Sequence, residues 1–174
     1  MGMKTNNTKL LRFPHKAIRS QAIKAYMDQA GFKRAVCFSC GNAARELEAA
    51  GVDVLHIGEH GVLAPRKWFT QAEIARDFTG YFDATSGNLP IELMEDIAKR
   101  YRDFLQDTLE DTVYVPTGSG ETLVCLKMAY PNKHFIAVYN MDEATAYSED
   151  APLNDLVALM ADQVIFDTPV KKAM

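Results

Sequence analysis

Residues 113–140, VYVPTGSGETLVCLKMAYPNKHFIAVYN, decide the class of fold. Val113, Val115 and their neighbours form a short β-branched and aromatic run, which is typical of a buried strand. A turn of glycine and hydroxyl residues follows, then a helical pattern, and then a second apolar run, HFIAVYN. Strand, helix and strand joined by short turns form a βαβ unit, so this stretch predicts a parallel sheet with helices on its faces.

The same alternation continues on both sides of this stretch. Upstream, the pattern predicts a helix over 17–30 that ends at Gly31. Pro90 begins the longest predicted helix, over 89–109. The other predictions are strands at 35–39, 52–58, 112–116, 134–140 and 163–167, helices at 43–51, 69–78, 121–130 and 153–162, and loops at 59–68 and 79–90. The predicted fold is α/β: an open, mainly parallel sheet with helices on both faces.

Composition restricts the function classes. The chain has 174 residues, 48% hydrophobic and 24% charged, which suits one compact domain. We predict a single domain over 1–174, or a reduced small lobe over about 17–80 and a main lobe over about 81–174. The net charge of −4 gives no general attraction to nucleic acid or to an anionic membrane. No apolar run suits a membrane span or signal core, and three cysteines do not suit a disulfide framework, so we expect a cytoplasmic protein.

Two predicted strand-to-helix turns carry glycine with small polar residues: SCGNA at 39–43 and PTGSGET at 116–122. Such turns lie beyond the carboxyl ends of parallel strands, where ligands bind. A helix N-terminus favours an anion, and glycine lets a phosphate approach the backbone. No Lys follows Gly120, and the spacing is not G-x-G-x-x-G, so nucleotide hydrolysis is disfavoured. The sequence predicts a bound phosphate, with an ordinary tight turn as the alternative.

Lys16 lies in RFPHKAIRSQAI, beside a proline turn and at the start of the first predicted helix. The positive end of a helix dipole is an unfavourable place for an ammonium group. Because a Schiff-base lysine reacts as the neutral amine, this position suits one. A solvated surface lysine is the alternative.

Taken together, these motifs resemble the fold type II pyridoxal-phosphate enzymes, the superfamily of tryptophan synthase β and cysteine synthase. HKAIR, at 15–19, resembles the stretch in which the family's lysine opens a helix, and SCGNA resembles its S-G-N turn. PTGSGET and its flanking strand and helix resemble the family's phosphate loop, and GNLPIELMEDI, at 87–97, resembles the segment before it. The motifs follow the order of the family, which implies a minimal version of the fold type II core.

The resemblance implies a site residue by residue. Lys16 is implied to hold pyridoxal 5′-phosphate (PLP) as an internal aldimine and, after release, to move the substrate α-proton. Asn42 is implied to hydrogen-bond the phenolic oxygen of the cofactor. The implied phosphate cup consists of Gly118, Ser119, Gly120, Glu121 and Thr122, and the implied carboxylate site for the amino-acid substrate consists of Ser39, Cys40, Gly41, Asn42 and Ala43.

The chain also departs from the family. It is shorter between VLHIG and SGNLP and again after AVYN. The family residue that faces the pyridine nitrogen comes from that late region, where Thr145, Ser148 and Thr168 are the candidates. Glu121 replaces a common glycine of the phosphate loop, and a carboxylate beside a phosphate is unfavourable unless it points away or meets a cation.

Other motifs favour structural roles. Cys37 and Cys40 form a C-x-x-C, but no second cysteine pair exists, so packing and a turn are expected rather than a redox or zinc pair. His56 and His60 straddle a strand end and a glycine, and no metal site is predicted. Asn88 is predicted to cap the long helix.

Two classes of function follow. The first is a PLP-dependent lyase or β-replacing synthase that acts on a serine- or cysteine-like amino acid through Lys16, and family habit implies a homodimer. The second is a non-catalytic relative that binds PLP, another phosphate ligand or a protein partner, which the shortened chain favours. A nucleotide or sugar-phosphate binding domain would explain 116–122 but would leave Lys16 unexplained.

Overall fold

The computed structural model describes residues 9–38, 42–56, 58–59, 62–63, 77–140, 143 and 154–166. The chain has an α/β fold, as predicted, and divides into two compact units. Unit 1 comprises Met1–Phe13 with Ala98–Met174, and unit 2 comprises Pro14–Ile97. Each unit contains one parallel three-stranded sheet. Among the described helices, none combines the length and apolar character needed to cross a bilayer.

Unit 2 is built around the sheet β2-β1-β5. Its elements are α1 (His15–Ala30), β1 (Arg34–Cys37), α2 (Asn42–Ala49), β2 (Asp53–His56), β3 (Gly58–Glu59), β4 (Val62–Leu63), β5 (Tyr81–Asp83) and the first part of α3 (Ile91–Leu105). Helix α1 ends where predicted, because Gly31 takes a φ of 86°, a left-handed conformation that glycine adopts without steric penalty. Helix α1 packs against α2, and α2 packs against β2. Ile23, Val36 and Leu47 are fully buried in this core.

Unit 2 contains short strands that the sequence pattern did not predict. The stretch at 79–90 was expected to be a loop, yet Tyr81–Asp83 pairs with β1 in parallel. Phe82 is buried, and its ring contacts those of Tyr26 and Phe32, with centroid distances of 5.3 and 5.5 Å. Strands β3 and β4 form an antiparallel pair around a stretch that was also expected to be a loop. Residues 69–76 of the predicted helix at 69–78 lie outside the described residues.

Unit 1 confirms the βαβ unit predicted from 113–140. Its elements are the rest of α3, β6 (Thr112–Thr117), α4 (Glu121–Ala129), β7 (His134–Tyr139), α5 (Asn154–Met160) and β8 (Gln163–Phe166). The strand order is β6-β7-β8, and α4 packs on β6, β7 and α5. Val115, Leu123 and Phe135 are buried in its core.

Helix α3 is shorter at both ends than the predicted span of 89–109. The carbonyl of Pro90 accepts a 3.0 Å hydrogen bond from the Met94 N–H, so Pro90 immediately precedes the first turn. The prediction that Asn88 caps this helix was therefore wrong, since Asn88 lies two residues too early. The helix ends before Gln106, whose φ of 52° is left-handed and cannot continue a helix.

Candidate functional site

The glycine-rich loop lies in unit 1, between the carboxyl end of β6 and the first turn of α4. Thr117 is buried, and its Oγ1 donates to the carbonyl of Val115 over 2.8 Å. The N–H of Glu121 points to Ser119 Oγ at 3.4 Å, which is long for a hydrogen bond. Gly118 is exposed and Ser119 is partly exposed. These two residues form the open face of the loop.

The two glycines of this loop differ in whether the structure requires glycine at that position. Gly120 has a φ of 92°, and its carbonyl accepts a 3.1 Å hydrogen bond from the Val124 N–H. A side chain at Gly120 would therefore strain the backbone. Gly118 has no left-handed φ, and a Cβ built on it would meet nothing within 4 Å. Neither conformation nor packing requires glycine at 118, and the space over it is open to a ligand.

Glu121 is buried, with 4% of its surface exposed. A carboxylate in the first turn of a helix is favoured by the helix dipole. Its burial distinguishes it from Gly118 and Ser119, which form the exposed face of the loop. Thr122, the last predicted residue of the cup, is partly exposed.

Lys16 is the second residue of α1 and is partly buried. The carbonyl of Pro14 accepts a 3.1 Å hydrogen bond from the Ile18 N–H and so begins the helix, without a side-chain cap. Within the described part of the chain, the Lys16 amine forms no hydrogen bond or ion pair. The helix backbone fixes the position of Lys16, and no counter-ion among the described residues binds its amine.

Arg19, one helical turn after Lys16, fixes where this end of α1 lies. Its side chain is buried with 4% exposed, and its Nη2 donates over 2.8 Å to the carbonyl of Ala84, directly after β5. Residues three apart share a helix face, so Lys16 precedes Arg19 on the face turned to the sheet. Lys16 therefore lies at the carboxyl edge of the unit 2 sheet, the edge at which open α/β sheets bind ligands.

Strand β1 ends at the same edge. Phe38 donates its N–H to Thr85 Oγ1 over 3.0 Å, and Asn42 begins α2 on the far side of the turn. Residues 39–41 lie outside the described residues, and nothing is described of the Asn42 side chain. Ala43 is partly buried. The described backbone thus brings Lys16 and Asn42 to one edge of one sheet, each at the start of a helix.

The sequence interpretation missed two contributors to this edge. Arg19 could have been suspected from an arginine inside an otherwise apolar helix face, since a buried guanidinium needs an acceptor. The turn at 85–88 carries a second S-G-N, at Ser86 to Asn88, but it was predicted only as a helix start. Its position beside β1 becomes visible only once β5 is recognised as a strand.

The other motifs give no site among the described residues. Cys37 is a buried thiol, as expected for packing, and Cys40 and His60 lie outside those residues. No cluster of three or more His, Cys, Asp or Glu side chains within the described ranges could hold a metal ion. The candidates for the residue that faces the pyridine nitrogen also lie outside the described residues; they are Thr145, Ser148 and Thr168.

Two surface cavities of unit 2 lie away from the predicted site residues. One, of about 390 Å³, is at the amino edge of the sheet and is lined by Gly31, Gly51 and their neighbours. The other, of about 540 Å³, is a groove between α1 and α2 lined by Ala17, Ala25 and Ala49 among others. Both are open surface depressions, so the geometry of the strand ends is the better guide to a site.

Lys16 and Asn42 belong to unit 2, whereas residues 118–122 belong to unit 1. Comparison of the chain with protein-family models, with curated proteins and with solved structures finds no match.

Proposed function

We propose that this chain binds pyridoxal 5′-phosphate and acts on an amino acid, by β-elimination or β-replacement on a serine- or cysteine-like substrate. The observation that carries the proposal is Gly118. It is exposed, its φ does not require glycine, and a Cβ there would enter open space ahead of the first turn of α4. A glycine backbone at a helix N-terminus is suited to a phosphate monoester.

Lys16 is the second residue that supports the assignment. It lies at the carboxyl edge of its sheet, where Arg19 anchors the helix that carries it. It is partly buried, whereas Lys24 on the same helix is exposed. A Schiff-base lysine needs an amine that is held in place and is not consumed by a salt bridge.

Each residue then has a defined task. A bound PLP would supply the electron sink for a negative charge on the substrate α-carbon. The backbone of 118–120 would bind the phosphate, and the Asn42 amide would orient the ring through its phenolic oxygen. Lys16 Nζ would hold the cofactor and, once free, accept the α-proton.

A binding role without catalysis is the second candidate. The open space over Gly118 requires only a phosphate ligand, so a phosphate-binding relative would use the loop without using Lys16. The two candidates differ in one respect that can be measured, which is whether the lysine bonds to the ligand.

Absorbance spectroscopy separates these candidates. Protein incubated with PLP and then desalted is expected to be yellow, with a near-visible band that borohydride removes. Mass spectrometry should then find the cofactor on the peptide that contains Lys16. Lys16→Ala should lack the band, and Lys24→Ala should keep it. A colourless protein that takes up no PLP would overturn the proposal, while PLP uptake that is the same in Lys16→Ala would support the binding role.

A further inference from the structure

We propose that the turn at 85–88 is the part of the site that contacts the side chain of the amino-acid substrate, through Ser86 and Asn88. This inference rests on the proposed function of the carboxyl edge of unit 2. It assigns substrate selectivity to a segment outside the predicted site residues.

The position of the turn follows from the pairing of β5 with β1. Val36 lies opposite Asp83, and the Ala84 N–H donates to the Val36 carbonyl over 2.9 Å, so the two strands end together. Phe38, immediately before the predicted carboxylate turn, donates its N–H to Thr85 Oγ1 over 3.0 Å. Strands β1 and β5 therefore end side by side at this edge of the sheet.

The turn is held in place by its own contacts. The Thr85 N–H donates to Asp83 Oδ1 over 3.0 Å, and the Asn88 N–H donates to the Thr85 carbonyl over 3.0 Å. Gly87 has a φ of 91°, which lets the chain reverse between Ser86 and Asn88. Arg19 binds the carbonyl of Ala84 at the start of the turn. A segment fixed in this way loses little conformational entropy when a ligand binds.

Ser86 and Asn88 are the polar side chains of the turn that stay available. Both are partly exposed, and neither side chain forms a hydrogen bond with another described residue. A hydroxyl and an amide can each donate and accept hydrogen bonds. Both groups are uncharged, so the pair suits a neutral polar group of the substrate. Among the substrates of the proposed function, the pair therefore suits an amino acid with a hydroxyl or thiol side chain.

A titration with two amino acids tests this assignment. Binding of L-serine and of L-alanine to PLP-loaded protein is measured by stopped-flow absorbance, before any turnover of serine, for wild type, Ser86→Ala, Asn88→Ala and the exposed control Gln29→Ala. We expect Ser86→Ala and Asn88→Ala each to weaken serine binding about tenfold and to leave alanine binding and the near-visible band unchanged, because only serine loses a hydrogen bond. Gln29→Ala should match wild type.

The outcomes separate this inference from the proposed function. A wild-type protein without the near-visible band overturns both. A protein with the band whose serine affinity is the same in Ser86→Ala and wild type overturns only the role of the turn. Equal loss of serine and alanine binding also overturns it, because the turn would then contact the part that the two ligands share. If Asn88→Ala melts at a lower temperature than wild type, Ser86→Ala alone decides.

Discussion

Arg19 donates from its Nη2 to the carbonyl oxygen of Ala84 over 2.8 Å, and this contact joins the start of α1 to the end of β5. The guanidinium is buried, with 4% of the residue exposed. Burying a charged group is costly unless acceptors replace its water. The contact therefore constrains the first turn of α1, and with it the backbone of Lys16.

Removal of this contact should destabilise unit 2. We expect Arg19→Ala to lower the free energy of unfolding by about 2–3 kcal/mol, because it leaves a cavity and a buried carbonyl without its donor. The free energy of unfolding of Arg19→Lys should lie between those of wild type and Arg19→Ala, because an ammonium lacks the planar fork of the guanidinium. Urea unfolding followed by far-UV circular dichroism measures the change. The exposed Lys33→Ala is the control, and equal urea midpoints for Arg19→Ala and Lys33→Ala would contradict the structural role.

The fold was predictable where the hydrophobic pattern is long and the residues that begin or end each element are unambiguous. Residues 113–140 contain a full strand, helix and strand, and Gly31 ends α1 in the left-handed conformation expected of it. Strand β5 was not predictable in this way. Its three residues are too few to show alternation, and they lie among glycine and serine residues that predict a turn. Pairing with β1 makes it a strand, and that pairing is a tertiary effect.

The candidate site was predictable only in part, for a related reason. The letters at 118 and 120 are identical, and only the φ values and the surrounding space distinguish a glycine that the turn requires from one that it does not. Arg19 and Ala84 are 65 residues apart in sequence, so no local sequence pattern predicts their contact. Motif spacing indicates which residues reach a sheet edge, but not which neighbours hold them there.

The two loop glycines should respond differently to alanine. Gly118→Ala is expected to keep the stability of the wild type within about 0.5 kcal/mol, because its Cβ meets nothing. Gly120→Ala is expected to cost about 1 kcal/mol or more, because a φ of 92° strains a non-glycine residue. Urea midpoints of the two variants measure this contrast.

Gly118→Ala should weaken ligand binding even though it hardly changes stability. Under the proposed function, titration with PLP should find Gly118→Ala at least about tenfold weaker than wild type, since the methyl group takes up the space next to the backbone that the phosphate would use. The control is Lys33→Ala, at an exposed residue of unit 2 that the proposed site does not use. Unchanged PLP affinity in Gly118→Ala would show that the open space over this residue does not receive the phosphate.

Asp162 couples the stability of unit 1 to pH. The Phe135 N–H donates to Asp162 Oδ2 over 2.8 Å, and His134 Nδ1 lies 3.3 Å from Oδ1. Burial acts to raise the pKa of Asp162, but the hydrogen bonds from Phe135 and His134 and the nearby charges of His134 and Lys127 outweigh it and hold the pKa below 3.8. A carboxyl group of this kind contributes stability that is complete above its unfolded pKa and is lost as pH falls through the folded value.

The Asp162→Asn variant should therefore lose less stability than wild type on acidification. Urea midpoints measured in steps from about pH 5 to about pH 2 give the two acid slopes. Asparagine keeps an acceptor for the Phe135 N–H, so the comparison isolates the charge. Asp111→Asn removes the same charge but leaves the contacts of Asp162 intact, and it should retain the wild-type slope. Parallel curves for Asp162→Asn and wild type would rule out this carboxylate as the source of the acid dependence.

Tyr130 links the end of α3 to the end of α4. Its hydroxyl donates to the carbonyl of Gln106, the left-handed residue that ends α3, over 2.6 Å. The Arg102 guanidinium lies 5.1 Å from the ring centre and donates to the Ala129 carbonyl over 2.5 Å. Burial raises the pKa of Tyr130 above 10.0, and this outweighs the lowering effect of Arg102, while Asp107 raises the pKa further.

Because the pKa of Tyr130 is raised, its contribution to stability decreases at alkaline pH. The neutral phenol is favoured by the fold, so its contribution is fully present below the unfolded pKa near 10.0 and is lost as pH rises through the folded value. Tyr130→Phe should cost about 1 kcal/mol at neutral pH, because the Gln106 carbonyl loses its donor, and should flatten the loss of stability above about pH 10. Tyr114→Phe, at a partly buried tyrosine of β6, is the matched control. If the urea midpoints of Tyr130→Phe and wild type fall equally steeply with rising pH, ionisation of Tyr130 does not limit stability there.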